Sequence, residues 1–442
     1  MPTNDIAVFV LWLAVIAILI RLKIHHLRFI HNDPVFGIYG LMATSYLMFR
    51  LFCLLLYAPE RLVAEGTTRD FYPSVTIVIP AMNEEKAIFK TIQACCTVGY
   101  PPGQLRIIVV NDGSTDGTWQ EIARAADMFP QVEAINWDVN RGKRSAMVEG
   151  ICRSESEIVV FIDSDSVIEP GSLVPLVRAF ADPKVGAVVG HADVLNKERN
   201  LLTKMQAVRY FVSFRIIKAS ESVFKSVTCC SGCYSAYRRS AVLKVLERWK
   251  NQTFLGKRCT FGDDRSLTNL LLREGYSLLY MSDAIVRTIV PETWRGYFRQ
   301  QLRWKKSWFR ETLIAVTHMW RRNPGASIPY YLSVFFTLCS PIVLIRSLVM
   351  SPATRWGYLA GLMILGALYG LYYRIHRRDG LWLYAFVFVF LNAFVFSWQI
   401  YQAILNSTDT SWGTRQVRQV KAGSGFQSDG VGPIEGRWFH VW

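Results

Sequence analysis

Apolar segments of two kinds alternate with polar ones in the middle of the chain. Val75-Thr-Ile-Val-Ile-Pro80 is a β-branched run that stops at a proline, the pattern of a buried parallel strand. Helical patterning follows from Glu84 to Cys96. Leu105 to Val110 reads as a second strand, ending at Asn111-Asp112-Gly113-Ser114, and Glu157 to Ile162 as a third, ending at Asp163-Ser164-Asp165. Strands alternating with helices predict a parallel α/β sheet. In open α/β sheets, ligands sit beyond the carboxyl ends of the strands. Polar residues fall there, at Asn83-Glu84, Asp112 and Asp163/Asp165.

Longer apolar runs flank this region. Ile6 to Ile20 ends at Arg21 and Lys23 and is short against the ~20 residues that cross a bilayer. No small-residue cleavage site follows it, which favours an anchor over a signal peptide. Phe36 to Tyr57 is broken by Arg50, whose long side chain can snorkel. Ile328–Met350, Trp356–Tyr373 and Leu381–Leu405 come after the soluble stretch; length and aromatic ends predict spans rather than core helices. Arg374, Arg377 and Arg378 on one side of the last run, and Arg415, Arg418 and Lys421 on the other, both read as cytoplasmic. That run is therefore re-entrant or a neighbour does not span, and the number of crossings stays open. Thr293 to Phe309 is amphipathic and carries Trp294, Trp304 and Trp308, as an interfacial helix does.

Composition agrees with a mixed protein. Of 442 residues, 51% are hydrophobic and 19% charged, against roughly 25% charged in average soluble domains. Mean hydropathy is +0.19. A net charge of +16 suits an anionic membrane surface or a polyphosphate substrate; hydrophobic spans beside the basic segments argue against nucleic acid. Cys95-Cys96 and Cys229-Cys230 are adjacent, a poor arrangement for bridging, and read as reduced and cytosol-facing. The 7 histidines have no zinc spacing.

Candidate chemistry lies at the strand ends and in later motifs. A carboxylate pair such as Asp163/Asp165 cannot bind a diphosphate directly, so a hard cation must bridge them through oxygen ligands and stabilise the departing diphosphate as a Lewis acid. Asp112, followed by Gly113 and Gly117 that allow a tight turn, reads either as part of that site or as a turn or helix-cap aspartate. In Asn140-Arg141-Gly142-Lys143, Lys143 or Arg141 either reaches nucleotide phosphates or decorates a solvated turn. The small residues Cys230-Ser231-Gly232 either admit a bulky ligand or form a plain loop. Asp263 and Asp264 open a helix; either the dipole explains them or one is a general base. In Gln300-Gln301-Leu302-Arg303-Trp304, Arg303 offers a fork for phosphate and Trp304 a flat face for a sugar ring.

Taken in order, Asp112, Asp163-Ser-Asp165, Asp264 and Gln300-Gln-Leu-Arg-Trp304 resemble the processive, membrane-integrated family-2 glycosyltransferases, which include cellulose, chitin and hyaluronan synthases. The stretch Leu246-Glu-Arg-Trp-Lys-Asn-Gln-Thr-Phe-Leu-Gly256, Gly262-Asp-Asp-Arg-Ser-Leu-Thr-Asn269, Gly142-Lys-Arg144 and Trp412-Gly-Thr-Arg415 are similar to bacterial (class I) hyaluronan synthases. Tyr237-Arg-Arg-Ser-Ala241, Asp283-Ala-Ile-Val286 and Val290-Pro-Glu-Thr293 are similar to rhizobial chitooligosaccharide synthases.

The resemblance implies an α/β GT-A-type glycosyltransferase domain inserted between transmembrane and interfacial helices. The expected division is transmembrane segments over 1–58, a cytosolic catalytic domain over 70–290, interfacial helices over 291–325, further spans over 326–406 and a cytosolic tail over 407–442. Asp112 would contact uridine, Lys143 and Asp163 the nucleotide, and Asp165 a metal, Mg²⁺ or Mn²⁺. Asp264 would be the base. Arg303 and Arg415 would hold the diphosphate, Trp304 would flank the acceptor sugar, Cys230, Ser231 and Gly232 would line the acceptor site, and Gln300 would bind substrate. The family usually has proline after that glycine; Cys233 stands here instead.

UDP-GlcNAc and UDP-GlcA would be the donors, and the partners a growing polysaccharide and membrane lipids. Product secretion would run through the chain's own membrane channel. UDP-GlcNAc-only chitin-type synthesis and non-processive transfer are the alternatives within this chemistry. A channel with a regulatory nucleotide domain is the alternative outside it, and it predicts UDP binding without turnover. The enzymatic reading requires Asp165 and Asp264 to face one cavity.

Overall fold

The computed structural model describes residues 3–27, 33–63 and 71–409. Arg415 and the rest of the tail lie outside the described residues. Ten strands are present among them: β1 (Val75–Ala81), β2 (Leu105–Asp112), β3 (Val132–Trp137), β4 (Ile158–Ile162), β5 (Ser166–Ile168), β6 (Val185–Val194), β7 (Tyr234–Arg238), β8 (Thr253–Phe254), β9 (Lys257–Arg258) and β10 (Ser277–Thr288). Eight form one sheet in the order β3-β2-β1-β4-β7-β6-β10-β5, and β8-β9 is a separate hairpin.

The strands read from pattern are β1, β2 and β4, and these are parallel neighbours. Every residue of β1 and of β4 is buried. That is why they read as continuous apolar runs, since helices cover both faces of a parallel sheet. The expectation of a wholly parallel sheet fails beyond β4. There β7 lies antiparallel between β4 and β6, and β5 pairs antiparallel with β10. The chain leaves β4 by a short turn into β5 and returns to the middle of the sheet only at β7, so one edge is mixed.

Helix Lys143–Arg153 packs tightly on the parallel half: a Cβ on Gly150 would run into the Val78 side chain. This close approach points the start of the helix, with Lys143, at the carboxyl end of β4.

Among the described residues, four helices are long and apolar enough to cross a membrane: Ile6–Ile24, Pro34–Leu56, Pro324–Met350 and Pro352–His376. The first is longer than its apolar run, because the helix continues through Arg21 and Lys23. Nineteen residues rise about 28 Å, close to the ~30 Å core. The last apolar run is a bent pair, Gly380–Phe396 and Gln399–Leu405, turning by 41°.

Polar links join these helices to the sheet. Arg50, buried in the second span, donates to Ser220 Oγ at 2.7 Å and stands 3.7 Å from Glu221. Arg377, after the fourth, bonds Asp193 on β6 at 2.5 Å. Helix Trp294–Ala315 packs along the bent pair; Tyr297 meets Phe396 edge-on with centroids 4.9 Å apart, and Gln399 donates to the Phe298 carbonyl at 3.3 Å.

Candidate active site

A crevice of about 580 Å³ opens where β4, the helix starting at Asp263 and helix Trp294–Ala315 meet. Asp163, Asp165, Lys143, Asp264, Ser231, Gly232, Gln300, Arg303 and Trp304 all line it. The stretches singled out in the sequence therefore converge, and Asp165 and Asp264 share one cavity.

At the sheet end, Lys143 is ion-paired with Asp163. Burial disfavours the charge on Lys143, yet Asp163, with Asp263 and Asp264 nearby, holds its ammonium above the usual lysine range. Asp165 lies beside Ser166 Oγ at 3.4 Å and Thr288 Oγ1, at the end of β10, at 3.5 Å. Burial, and then the like charge of Asp163, push its carboxyl up to about 6. Two carboxylates crowded in this way form a hard-oxygen donor set that a divalent cation would relieve. Among the described residues no group of three His, Cys, Asp or Glu is placed to hold a metal, so further ligands would come from a bound diphosphate or water.

Asp112 stands apart from this cluster. It is buried and is not part of the crevice wall. Its carboxylate accepts the backbone N–H groups of Arg141 at 2.6 Å and Gly142 at 3.0 Å. The expectation that Asp112 and Asp163 face the same crevice is corrected: Asp112 clasps the turn that presents Lys143. Gly142 sits at φ +93° in that turn, a conformation open to glycine.

The two acids of the Gly262-Asp-Asp-Arg265 run have different surroundings. Asp263 bonds Arg144 Nε at 2.5 Å in a buried pair, and its carbonyl accepts Trp249 Nε1 at 3.0 Å. The Asp264 carboxylate accepts its neighbour's amide, Arg265 N, at 2.8 Å and a long contact from Cys229 Sγ at 3.6 Å, while its carbonyl accepts Thr268 Oγ1 at 2.6 Å. Asp263 thus holds the helix to the core, while Asp264 keeps lone pairs for the crevice.

In the small-residue loop, Cys230 is a second correction. It is fully buried, its amide donates to Thr268 Oγ1 at 2.9 Å, and it does not face the crevice. Cys229 and Cys233 do, with Ser231 and Gly232. A Cβ on Gly232 would stand 3.5 Å from Lys143 Nζ and 3.8 Å from Asp163 Oδ1, so this loop lies directly against the sheet-end pair. Cys230 and Cys233 have Cys-x-x-Cys spacing, and both are free; burial pushes the Cys230 thiol up to about 12, which makes it a poor nucleophile.

Several crevice residues carried no local signal in the sequence. Arg209 and Tyr210 come from helix Leu201–Val212; Ser213, Phe214 and Lys218 come from the π-turn Ser213–Lys218 that follows it. Such turns interrupt a helix and re-aim its side chains. Lys305 and Trp308 extend the Gln300–Trp304 wall, and Thr337, in the third span, closes the far end. The crevice therefore reaches helices that are apolar enough for a bilayer.

The fold has a solved counterpart. A mannosyltransferase from Pyrobaculum calidifontis, in complex with GDP-Man and Mn²⁺, superposes with a TM-score of 0.54 at 20% identity, covering 81% of this chain and 99% of that one. The sheet thus has a GT-A-type fold, flanked by apolar helices.

Sequence comparison narrows the class. Residues 73–307 match the Glycosyltransferase like family 2. A hyaluronan synthase of Streptococcus pyogenes is 30% identical over 408 residues, 90% of this chain and 95% of that protein. An N-acetylglucosaminyltransferase of Azorhizobium caulinodans is 31% identical over 362 residues, 80% of this chain and 90% of its own length. Another, of Rhizobium meliloti, is 35% identical over 288 residues, 64% of this chain and 67% of its own. The chain belongs to the family-2 glycosyltransferases and is a hyaluronan synthase-like enzyme.

Proposed function

We propose that this enzyme is a processive, inverting polymerase that builds hyaluronan from UDP-GlcNAc and UDP-GlcA and passes the product into its own membrane helices. The carrying observation is the single crevice, with Asp163 and Asp165 at one end, Asp264 in its wall and Thr337 of a membrane span at the other. The relative that matches the greatest share of this chain among those described above, named a hyaluronan synthase, supports the choice of product.

In this reading Asp264 takes the proton of the acceptor hydroxyl as that oxygen attacks the anomeric carbon from the face opposite the diphosphate. An α-linked donor then yields a β-linkage. Lys143 and Arg303 take up the charge developing on the leaving diphosphate, with Arg415 of the tail assigned to the same task. Asp165, beside Asp163, would hold Mg²⁺ or Mn²⁺, which supplies Lewis-acid stabilisation of the leaving group when bound. Asp112 keeps the Lys143 turn in place. Ser231, Gly232, Gln300 and Trp304 seat the acceptor sugar. UDP-sugars are cytosolic, which puts the catalytic domain in the cytoplasm.

The second reading, a chitooligosaccharide synthase using UDP-GlcNAc only, draws on the two rhizobial relatives. Membranes given each UDP-sugar alone and then both, with products digested by hyaluronidase and by chitinase, separate the two. Polymer that requires both donors and falls to hyaluronidase is expected. Chitinase-sensitive product from UDP-GlcNAc alone would establish the second reading instead.

A further inference from the structure

The membrane-side half of the crevice is cationic in a way that catalysis at Asp264 does not require. Lys305 follows Trp304 on helix Trp294–Ala315, and its ammonium donates to the Phe396 carbonyl at the bend of the last apolar run. An ammonium has three donors, and a single acceptor is placed on this one among the described residues. Arg209, from the facing helix Leu201–Val212, lays its guanidinium over the Trp304 ring at 5.2 Å. Both line the crevice. Among the described residues neither has a carboxylate within ion-pair distance. Burial, and then the charge of Arg209, push the Lys305 ammonium down to about 7.

Two partly buried cationic groups that repel each other are relieved when an anion arrives between them. Beside them, Gln300 Oε1, Gln301 Nε2 and Ser307 Oγ are buried with no protein partner. These are groups that a hydroxyl-rich chain satisfies. A neutral polymer would meet the amides and the serine but would leave both cations unpaired.

We propose that Arg209 and Lys305 form a subsite for the carboxylate of a uronate unit in the growing chain, at the point where it leaves the reaction centre for the membrane helices. The inference rests on the polymerase reading above and specifies which residues read the acidic sugar. Trp304 offers a flat face to the sugar ring, and the two cations, carried by different helices, receive the carboxylate. Lys143, paired with Asp163 at the opposite end, is left to the nucleotide.

The test uses the full-length protein in membranes, with Lys305→Met, Arg209→Gln and the conservative Lys305→Arg. Incorporation of labelled UDP-GlcA into polymer is measured with both donors present, alongside UDP release from UDP-GlcNAc supplied alone and the affinity for UDP. Uronate incorporation is expected to fall about 10- to 100-fold in Lys305→Met and in Arg209→Gln, the range for losing a charge-assisted hydrogen bond. UDP affinity and UDP release from UDP-GlcNAc alone are expected to stay within about twofold of wild type, a loss well below one such bond. Lys305→Arg is expected to keep most of the incorporation. Equal losses of UDP affinity and of both sugars would reassign the cations to the diphosphate and overturn the subsite. Unchanged incorporation in both neutral variants would overturn it too. A wild-type enzyme that builds polymer from both donors while the variants behave as wild type refutes only this inference. A wild-type enzyme that never incorporates the uronate refutes the polymerase reading along with it.

Discussion

The two ends of the crevice are built on different principles. At the sheet end the polar groups are engaged before any ligand arrives: Lys143 with Asp163, Asp112 with two backbone amides, Asp165 beside Ser166 and Thr288. Their carriers are strands buried on both faces and a helix pressed onto them at Gly150. At the membrane end the walls are a π-turn and an amphipathic helix with Thr337 of the third span, and Gln300, Gln301 and Ser307 present buried atoms without protein partners. Each such group, left dry, costs on the order of 1–3 kcal/mol. One end is preformed for a small, constant ligand. The other gains its missing hydrogen bonds from a chain that moves through it.

Asp264 sits on the boundary, and its loss should separate the ends most sharply. Asp264→Asn keeps the size of the side chain but cannot accept the proton. Sugar transfer is expected to fall ~10²- to 10⁴-fold, the range for a general base. UDP affinity should hold, because the sheet end is untouched. Rates near wild type in the purified variant would move the base elsewhere.

The next largest effect is expected from the membrane. Arg50 anchors Ser220 and Glu221, and Glu221 in turn accepts the Thr228 amide and hydroxyl, both at 3.0 Å, one residue before Cys229 of the acceptor loop. Arg50→Ala leaves Glu221 buried without its cation, a change that destabilises by several kcal/mol where both partners are enclosed. Turnover should drop about tenfold or more as the loop loses its anchor, with Kd for UDP unchanged and Arg50→Lys partly restoring rate. Loss of UDP binding in step with turnover would show that the two ends are not separable.

The same division explains what could be read from sequence. β1, β2 and β4 were legible because full burial turns a strand into an unbroken β-branched run. The acids at their ends, the Gly262-Asp-Asp-Arg265 start and the Gln300–Trp304 stretch were legible as local motifs. β7 was not, since Tyr234-Ser-Ala-Tyr-Arg238 has no distinctive period over so few residues. Nor was the burial of Cys230, which depends on Thr268, 38 residues further along the chain. Arg209 and Lys305 look like ordinary basic residues of amphipathic helices; only the packing of those helices aims both at one space. Asp112 shows the converse error. Its place after a strand was read correctly, but local pattern could not distinguish a carboxylate that faces a ligand from one that ties a loop.

Acid should weaken metal binding at the sheet end. Metal binding needs the Asp165 carboxylate ionised, and its carboxyl titrates at about 6. The raised value means that the folded protein favours the proton, so the charged form costs stability at neutral pH and is relieved as pH falls through 6. Affinity for Mn²⁺ in the presence of UDP should therefore be about tenfold lower at pH 5 than at pH 7. Calorimetric titration at the two pH values measures it, and equal affinities would remove Asp165 from the metal. Asp165→Asn should abolish both the binding and its pH dependence.

The smallest effect is expected where the two ends are joined. Gly262 precedes the helix that carries Asp264. It has φ +85°, and a Cβ there would collide with Ser307 and come within 3.0 Å of Arg310 on helix Trp294–Ala315. Gly262→Ala thus carries a left-handed backbone cost of roughly 1 kcal/mol and also pushes the base-bearing helix away from the acceptor wall. A displacement of that kind misaligns base and acceptor without disturbing nucleotide contacts, because those are built on β4 and Lys143. Transfer should fall about five- to tenfold, a loss of the size that backbone cost alone would produce, with UDP affinity unchanged. Adding Ser307→Gly, which makes room for the new methyl, should recover part of the rate despite the helix cost of glycine. If Ser307→Gly instead deepens the loss, the contact between the two helices matters for its hydrogen bonding rather than its spacing. The unpartnered Ser307 hydroxyl would then belong with Gln300 and Gln301 among the groups that hold the moving chain.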